Sequence, residues 1–163
     1  MIRHLTRGLA LAATMTFAAV AAQAQQYAAY VMDARNGKTI HAVNADTRLP
    51  PASLTKMMTL YIVFDQLKSG RMSLDQKVTI SENAAAEPPS RLGLRPGQKI
   101  ELRYLIRAAA IKSANDAATA LGEAVAGSEP AFADRMNQYA RAMGLKNTQF
   151  QNANGLTAPG HYS

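Results

Sequence analysis

Ser53 and Lys56 stand three residues apart where a helix is predicted to begin, so their side chains share one face within hydrogen-bond reach. That geometry suits a nucleophile and its base. Serine is a weak nucleophile until a neighbour takes its proton, and an amine takes a proton only when neutral. Half-neutralising Lys56 near pH 7 requires lowering its pKa by roughly three units, about 4 kcal/mol. Burial against an apolar helix and the positive end of that helix's dipole both act in this direction. The helix start also aims backbone N–H groups, including that of Ser53, at the place where an oxyanion would form. A Ser-x-x-Lys match arises by chance roughly once in a chain of this length, and a solvated lysine on the first helical turn is the competing reading. Placement favours chemistry: a Pro-Pro-Ala lead-in and an apolar continuation put the lysine at the head of a central helix.

A second polar cluster, Ser113-Ala114-Asn115, interrupts two apolar helices and offers a hydroxyl and a carboxamide to one cleft. Taken by itself it fits a plain helix cap equally well. Asp116 and Glu123 follow without the spacing of a general-acid pair. His41 and His161 lack the surroundings of a Ser-His-Asp hydrolase and any partner at metal-ligand spacing, so both read as surface histidines and no metal site is expected.

These residues need elements to hold them. Tyr27–Asp33 and Lys38–Asn44 read as strands joined in a tight hairpin at Asn36-Gly37. Leu49-Pro50-Pro51-Ala52 ends the second strand, and Met57–Leu67 follows as a helix apolar on nearly every side, hence buried, with Ser69-Gly70 as its stop. Lys77–Ser81 and Gln98–Leu102 read as two brief paired strands flanking a Pro- and Gly-rich surface excursion over Glu87–Gly97. Leu102, Leu105, Ile106 and Ala109 recur at helical spacing up to Lys112, and a further helix runs over Ala117–Val125. Ser128 caps a helix from Glu129 to Met143, with Phe132, Met136, Tyr139 and Met143 on one face and Gly144 as its stop. The tail from Asn147 is polar and turn-rich.

Composition narrows the setting. The chain has 163 residues, 48% apolar and 18% charged, which suits one folded domain. It has no cysteine, which removes disulfides, thiol nucleophiles, Cys-ligated metals and thiol-linked lipid anchors. Met1–Ala24 reads as a signal peptide: Arg3, His4 and Arg7 are its basic end, Leu9–Ala22 its apolar run, and Ala22-Gln23-Ala24 its cleavage site. The run falls short of the roughly 20 residues that span a bilayer. Cleavage after Ala24 leaves residues 25–163 in an exported, periplasmic protein. The net charge of +7 is spread as single residues, with no aromatic platform beside them, so no nucleic-acid partner is expected.

The segments Pro50-Pro51-Ala52-Ser53-Leu54-Thr55-Lys56-Met57-Met58-Thr59, Ser113-Ala114-Asn115-Asp116-Ala117 and Asn152-Ala153-Asn154-Gly155-Leu156 together resemble the penicillin-binding D-alanyl-D-alanine carboxypeptidases. The resemblance runs from Gln25 to Ser163 and takes in the Leu94-Arg95-Pro96-Gly97 turn and the closing Pro159-Gly160-His161-Tyr162-Ser163. It implies an α/β fold of the serine β-lactamase and transpeptidase type, an antiparallel sheet with a helical subdomain. It also implies a periplasmic enzyme, without cofactor, that removes the terminal D-alanine from peptidoglycan pentapeptides and is acylated by β-lactams. By position, Ser53 matches the acylated serine, Lys56 its proton acceptor, Ser113 the residue that relays a proton, and Asn115 the residue that holds the substrate's amide. Ala114 departs from the family's usual glycine. The family's third motif, Lys-Thr-Gly, is absent from residues 1–163, which reads as the N-terminal part of a catalytic domain without its inner strands. A segment beyond Ser163 would then be the route to peripheral membrane association, and apolar helix faces would be left exposed. Two alternatives share these motifs: a D-alanyl-D-alanine endopeptidase, and a non-catalytic penicillin-fold protein that binds peptidoglycan. A class A β-lactamase is disfavoured, since no glutamate in the Asn152–Leu156 segment is available to activate a deacylating water.

Overall fold

The computed structural model describes residues 27–163; the signal peptide expected over Met1–Ala24 lies outside them. Strands β1 (Ala29–Met32) and β2 (Thr39–Val43) pair antiparallel, with a register shift between Val31 and Met32. The turn between them is wider than the Asn36-Gly37 pair predicts. The Asp33 carbonyl accepts from the N–H groups of Asn36 and Gly37, and the N–H of Asp33 donates to the carbonyl of Lys38. The Asp33 carboxylate takes hydrogen bonds from the backbone N–H and guanidinium of Arg35, so a six-residue loop replaces a two-residue turn.

A single 3-10 turn, Ala52–Leu54, leads directly into helix α1 (Thr55–Lys68). Strand β3 (Lys77–Thr79) and strand β4 (Lys99–Glu101) form a second antiparallel pair, as their sequences predict. Helix α2 (Glu82–Ala86) is capped by Ser81, whose hydroxyl accepts from the N–H of Ala84. Helix α3 (Leu102–Ile111), helix α4 (Asn115–Ala126) and helix α5 (Glu129–Ala142) complete the element order. Ser128 caps α5 as expected, accepting from Ala131.

Two apolar clusters meet along α1. Val63 joins Val78, Ile80, Leu94, Leu102, Leu105 and Leu121, which ties α1 to α3, α4 and the second strand pair. Met58 and Ile62 join Phe132, Met136, Ala140, Phe150 and Ala153, which ties α1 to α5 and the tail. On α5, Ala133 and Ala140 fill the buried face that Met143 is predicted to share, and Met143 is exposed.

The expectation that α1 is covered on every side does not hold. Met57, Tyr61 and Phe64 are exposed, and so are Tyr30, Val31, Met32 and Ile40 of the first strand pair. The described residues pack two faces of α1 and leave a third open. Beside it an apolar hollow of about 740 Å³ is lined by Tyr30, Leu49, Leu54, Met57, Tyr61 and Leu145, among others.

Candidate active site

Ser53 sits in the 3-10 turn and is exposed, while Lys56, one turn on, is 3% exposed. The residue before the serine, Ala52, has φ +48°, a left-handed conformation that costs a non-glycine residue about 1–3 kcal/mol. The chain is therefore bent sharply at the point where the serine is presented.

Lys56 Nζ makes three polar contacts: 2.7 Å to the carbonyl of Asn154, 2.8 Å to Oδ1 of Asn115 and 3.3 Å to Oγ of Ser53. The predicted face-sharing of Ser53 and Lys56 is thus realised, and Asn115 is brought to the same point from α4. The Asn115 side chain is fixed in this sense because its Nδ2 donates to the Pro88 carbonyl at 2.9 Å, which leaves Oδ1 for the lysine. Burial pushes the Lys56 amine below the ordinary lysine range, and the charge of Glu87 partly opposes this.

Ser113 lies at the corner between α3 and α4 with φ +57°, half-buried. Among the described residues its hydroxyl makes no side-chain hydrogen bond to Ser53, Lys56 or Asn115. The cap reading of this cluster is also set aside. The N-cap of α4 is Ala114, which has no side chain able to cap, and Asn115 and Asp116 are already helical. The bend follows from the left-handed backbone at Ser113, with the N–H of Ala114 returning to the carbonyl of Ala108 at 3.1 Å.

Several residues at the site carry no spacing signal. Asp116 is fully buried, and its carboxylate accepts from the N–H groups of Leu92, Gly93, Leu94 and Ala117. The Glu87–Gly97 excursion runs over the surface as expected, is bound to the head of α4 by these contacts, and buries Leu94. Asn154 anchors the tail against α1, where the Ala153 carbonyl also accepts from Thr59 Oγ1 at 2.6 Å. His161 is buried, not superficial. One ring nitrogen pairs with Thr55 Oγ1 at 2.9 Å, the other accepts from the N–H of Gln151, and the ring packs edge-on against Phe150. Burial holds its pKa below the usual histidine value. His41 is exposed, as expected.

An exposed serine on a sharply bent turn and a buried lysine held by the Asn154 carbonyl and by the Asn115 carboxamide of a second helix come together on a mixed α/β scaffold. Comparison with known proteins agrees on the scaffold, which is the penicillin-binding protein and transpeptidase fold. The chain superimposes on the crystal structure of the D-alanyl-D-alanine carboxypeptidase DacD from Francisella tularensis with a TM-score of 0.80 at 43% identity, covering 83% of this chain and 33% of that one. In sequence it is 40% identical over 135 residues to D-alanyl-D-alanine carboxypeptidase DacF of Bacillus subtilis, covering 83% of this chain and 35% of the relative. It is 42% identical over 139 residues to DacA of Escherichia coli K12, covering 82% and 34% respectively. The family described as D-alanyl-D-alanine carboxypeptidase matches residues 14–163. The chain belongs to that D-alanyl-D-alanine carboxypeptidase family. It spans about a third of the length of the curated relatives it matches.

Proposed function

We propose that the protein is a serine-type D-Ala-D-Ala carboxypeptidase. It removes the terminal D-alanine from peptidoglycan pentapeptides through an acyl-enzyme on Ser53, and β-lactams acylate the same serine. Residues 25–163 are the part of the catalytic domain that carries the nucleophile and its base, in a protein exported to the periplasm by cleavage after Ala24.

The observation that carries this reading is the contact set of Lys56. A neutral amine has two hydrogens and one lone pair. Its two short contacts, to the Asn154 carbonyl and Asn115 Oδ1, are to groups that only accept, so they consume both hydrogens. In the charged amine Nζ donates to Ser53 Oγ at 3.3 Å; once the amine is neutral its lone pair is left for that contact, and the serine O–H is the donor. Burial favours the neutral form that this arrangement needs.

In the first step Ser53 Oγ bonds to the carbonyl carbon of the penultimate D-alanine and its proton passes to Lys56 Nζ. The bond to the terminal D-alanine then breaks as its nitrogen receives a proton, which Ser113 relays from Lys56. Free D-alanine leaves, and water hydrolyses the ester to restore Ser53. Asn115 holds the substrate's amide. The test is release of free D-alanine from a pentapeptide ending in D-Ala-D-Ala by purified protein that carries these residues within the complete catalytic domain. Wild type should release it and Ser53→Ala should release none; equal release by both would overturn the reading.

A further inference from the structure

Both acceptors that orient the Lys56 amine are themselves held by one short segment, Glu87–Ser90. The Glu87 carboxylate oxygen Oε1 accepts from Asn154 Nδ2 at 2.9 Å and from Thr119 Oγ1 at 2.8 Å, and Asn154 Nδ2 also reaches Thr119 Oγ1 at 3.0 Å. Asn154 is the residue whose carbonyl takes one Lys56 hydrogen. A few residues along, the Pro88 carbonyl accepts from Asn115 Nδ2, and the Ser90 carbonyl accepts from the backbone N–H of Asn115 at 2.7 Å. Asn115 is the residue whose Oδ1 takes the other hydrogen.

We propose that Glu87 is a positioning residue for Lys56: its carboxylate fixes the Asn154 acceptor and its segment fixes the Asn115 acceptor. The catalytic consequence rests on the reading of Lys56 as the base. Glu87 does not touch Ser53 and acts only through the lysine.

The charges around this network fix the sign. Glu129 from α5 and Glu123 from α4 both face Glu87, Thr119 from α4 and Asn154 from the tail donate to it, and Lys56 from α1 feels its charge. Desolvation first, then the two neighbouring carboxylates, push the Glu87 carboxyl above the usual glutamate value, while the bonds from Thr119 and Asn154 pull it back. An ionised Glu87 favours the ammonium form of Lys56, so removing that charge should lower the pKa of Lys56 further and widen the pH range in which the base is competent.

Glu87→Gln separates charge from geometry, because its amide oxygen still accepts from Asn154 and Thr119. Glu87→Ala removes both. The primary measurement is the NMR titration of Lys56 in 13C-lysine-labelled protein, with the resonance identified by its loss in Lys56→Met. The midpoint should fall by about half a unit or more in Glu87→Gln. The acid limb of the β-lactam acylation profile should move to lower pH by the same amount, with the high-pH plateau retained. Glu87→Ala should lower that plateau about tenfold as well, because the acceptor is no longer fixed.

In the wild type, the Lys56 resonance should record the ionisation of Glu87 as a second inflection. This measurement needs no variant at Glu87 to fold. A Lys56 midpoint unchanged in Glu87→Gln, or no second inflection in the wild type, would overturn the proposal. A midpoint that falls while the acylation limb stays in place would overturn Lys56 as the base and leave its coupling to Glu87 standing.

Discussion

Replacing Lys56 by methionine should lower the rate of β-lactam acylation by at least about a thousandfold, the upper part of the range for loss of a positioned general base. Methionine nearly preserves the volume of the buried stem, so the helix and its neighbours stay packed. Two effects on stability oppose each other. The Asn154 carbonyl and Asn115 Oδ1 lose their donor, at about 1–3 kcal/mol for each buried acceptor left unmade, while the desolvation that lowers the lysine's pKa is relieved. Folding is therefore expected to shift by far less than the rate. Stopped-flow acylation together with thermal melting of the variant checks both. Acylation within tenfold of wild type would show that the Ser53 proton leaves by another path.

Gly155→Ala should be the most damaging glycine-to-alanine change among the described residues. Gly155 has φ +88°, and a Cβ there would overlap the carbonyl oxygen of Ala52 and come within 2.9 Å of Thr55 Oγ1. The overlapped atom is backbone, immediately before Ser53, so it has no rotamer to escape into. Relief requires moving either the Ala52–Ser53 turn or the tail that presents the Asn154 carbonyl to Lys56. Gly127→Ala is the matched control. It shares the left-handed conformation, with φ +83°, but nothing lies within 4 Å of the added methyl. The control should cost about 1–2 kcal/mol from backbone handedness alone. Gly155→Ala should cost about 3 kcal/mol or more, a fall in melting temperature of about 10 °C, and acylation should collapse with it. Equal melting temperatures for the two variants would mean that the tail does not pack on the serine turn as described.

What could be read from the chain alone was whatever depends on short spacing. Ser53 and Lys56 share a face because three residues make nearly one helical turn, and the two strand pairs and the Ser128 cap follow from equally local patterns. The hydrophobic period also placed α3, α4 and α5 to within a few residues. Contacts set by distant parts of the chain were not legible. Glu87 and Asn154 are 67 positions apart, yet they share a hydrogen bond beneath the lysine. Asp116 looks like one more helix-start carboxylate until three N–H groups from residues 92–94 are found on it. His161 carries no sequence sign of burial, which arises because the tail folds back over Phe150 and Thr55. The apolar pattern of α1 overstated its coverage, since composition records which faces suit burial and not which are met by the described residues. The Asn36-Gly37 pair predicted a tighter turn than the one formed, because the Asp33 carboxylate organises a longer loop through Arg35.

The central claim is that Ser53 is the acylated nucleophile, and peptide mapping after exposure of the purified protein to a β-lactam tests it most directly. The account predicts a single adduct, of the mass of the intact opened β-lactam, on the peptide that contains Ser53, with labelling retained in Ser81→Ala. An adduct on any other residue, or full labelling of a peptide that lacks Ser53, would contradict it.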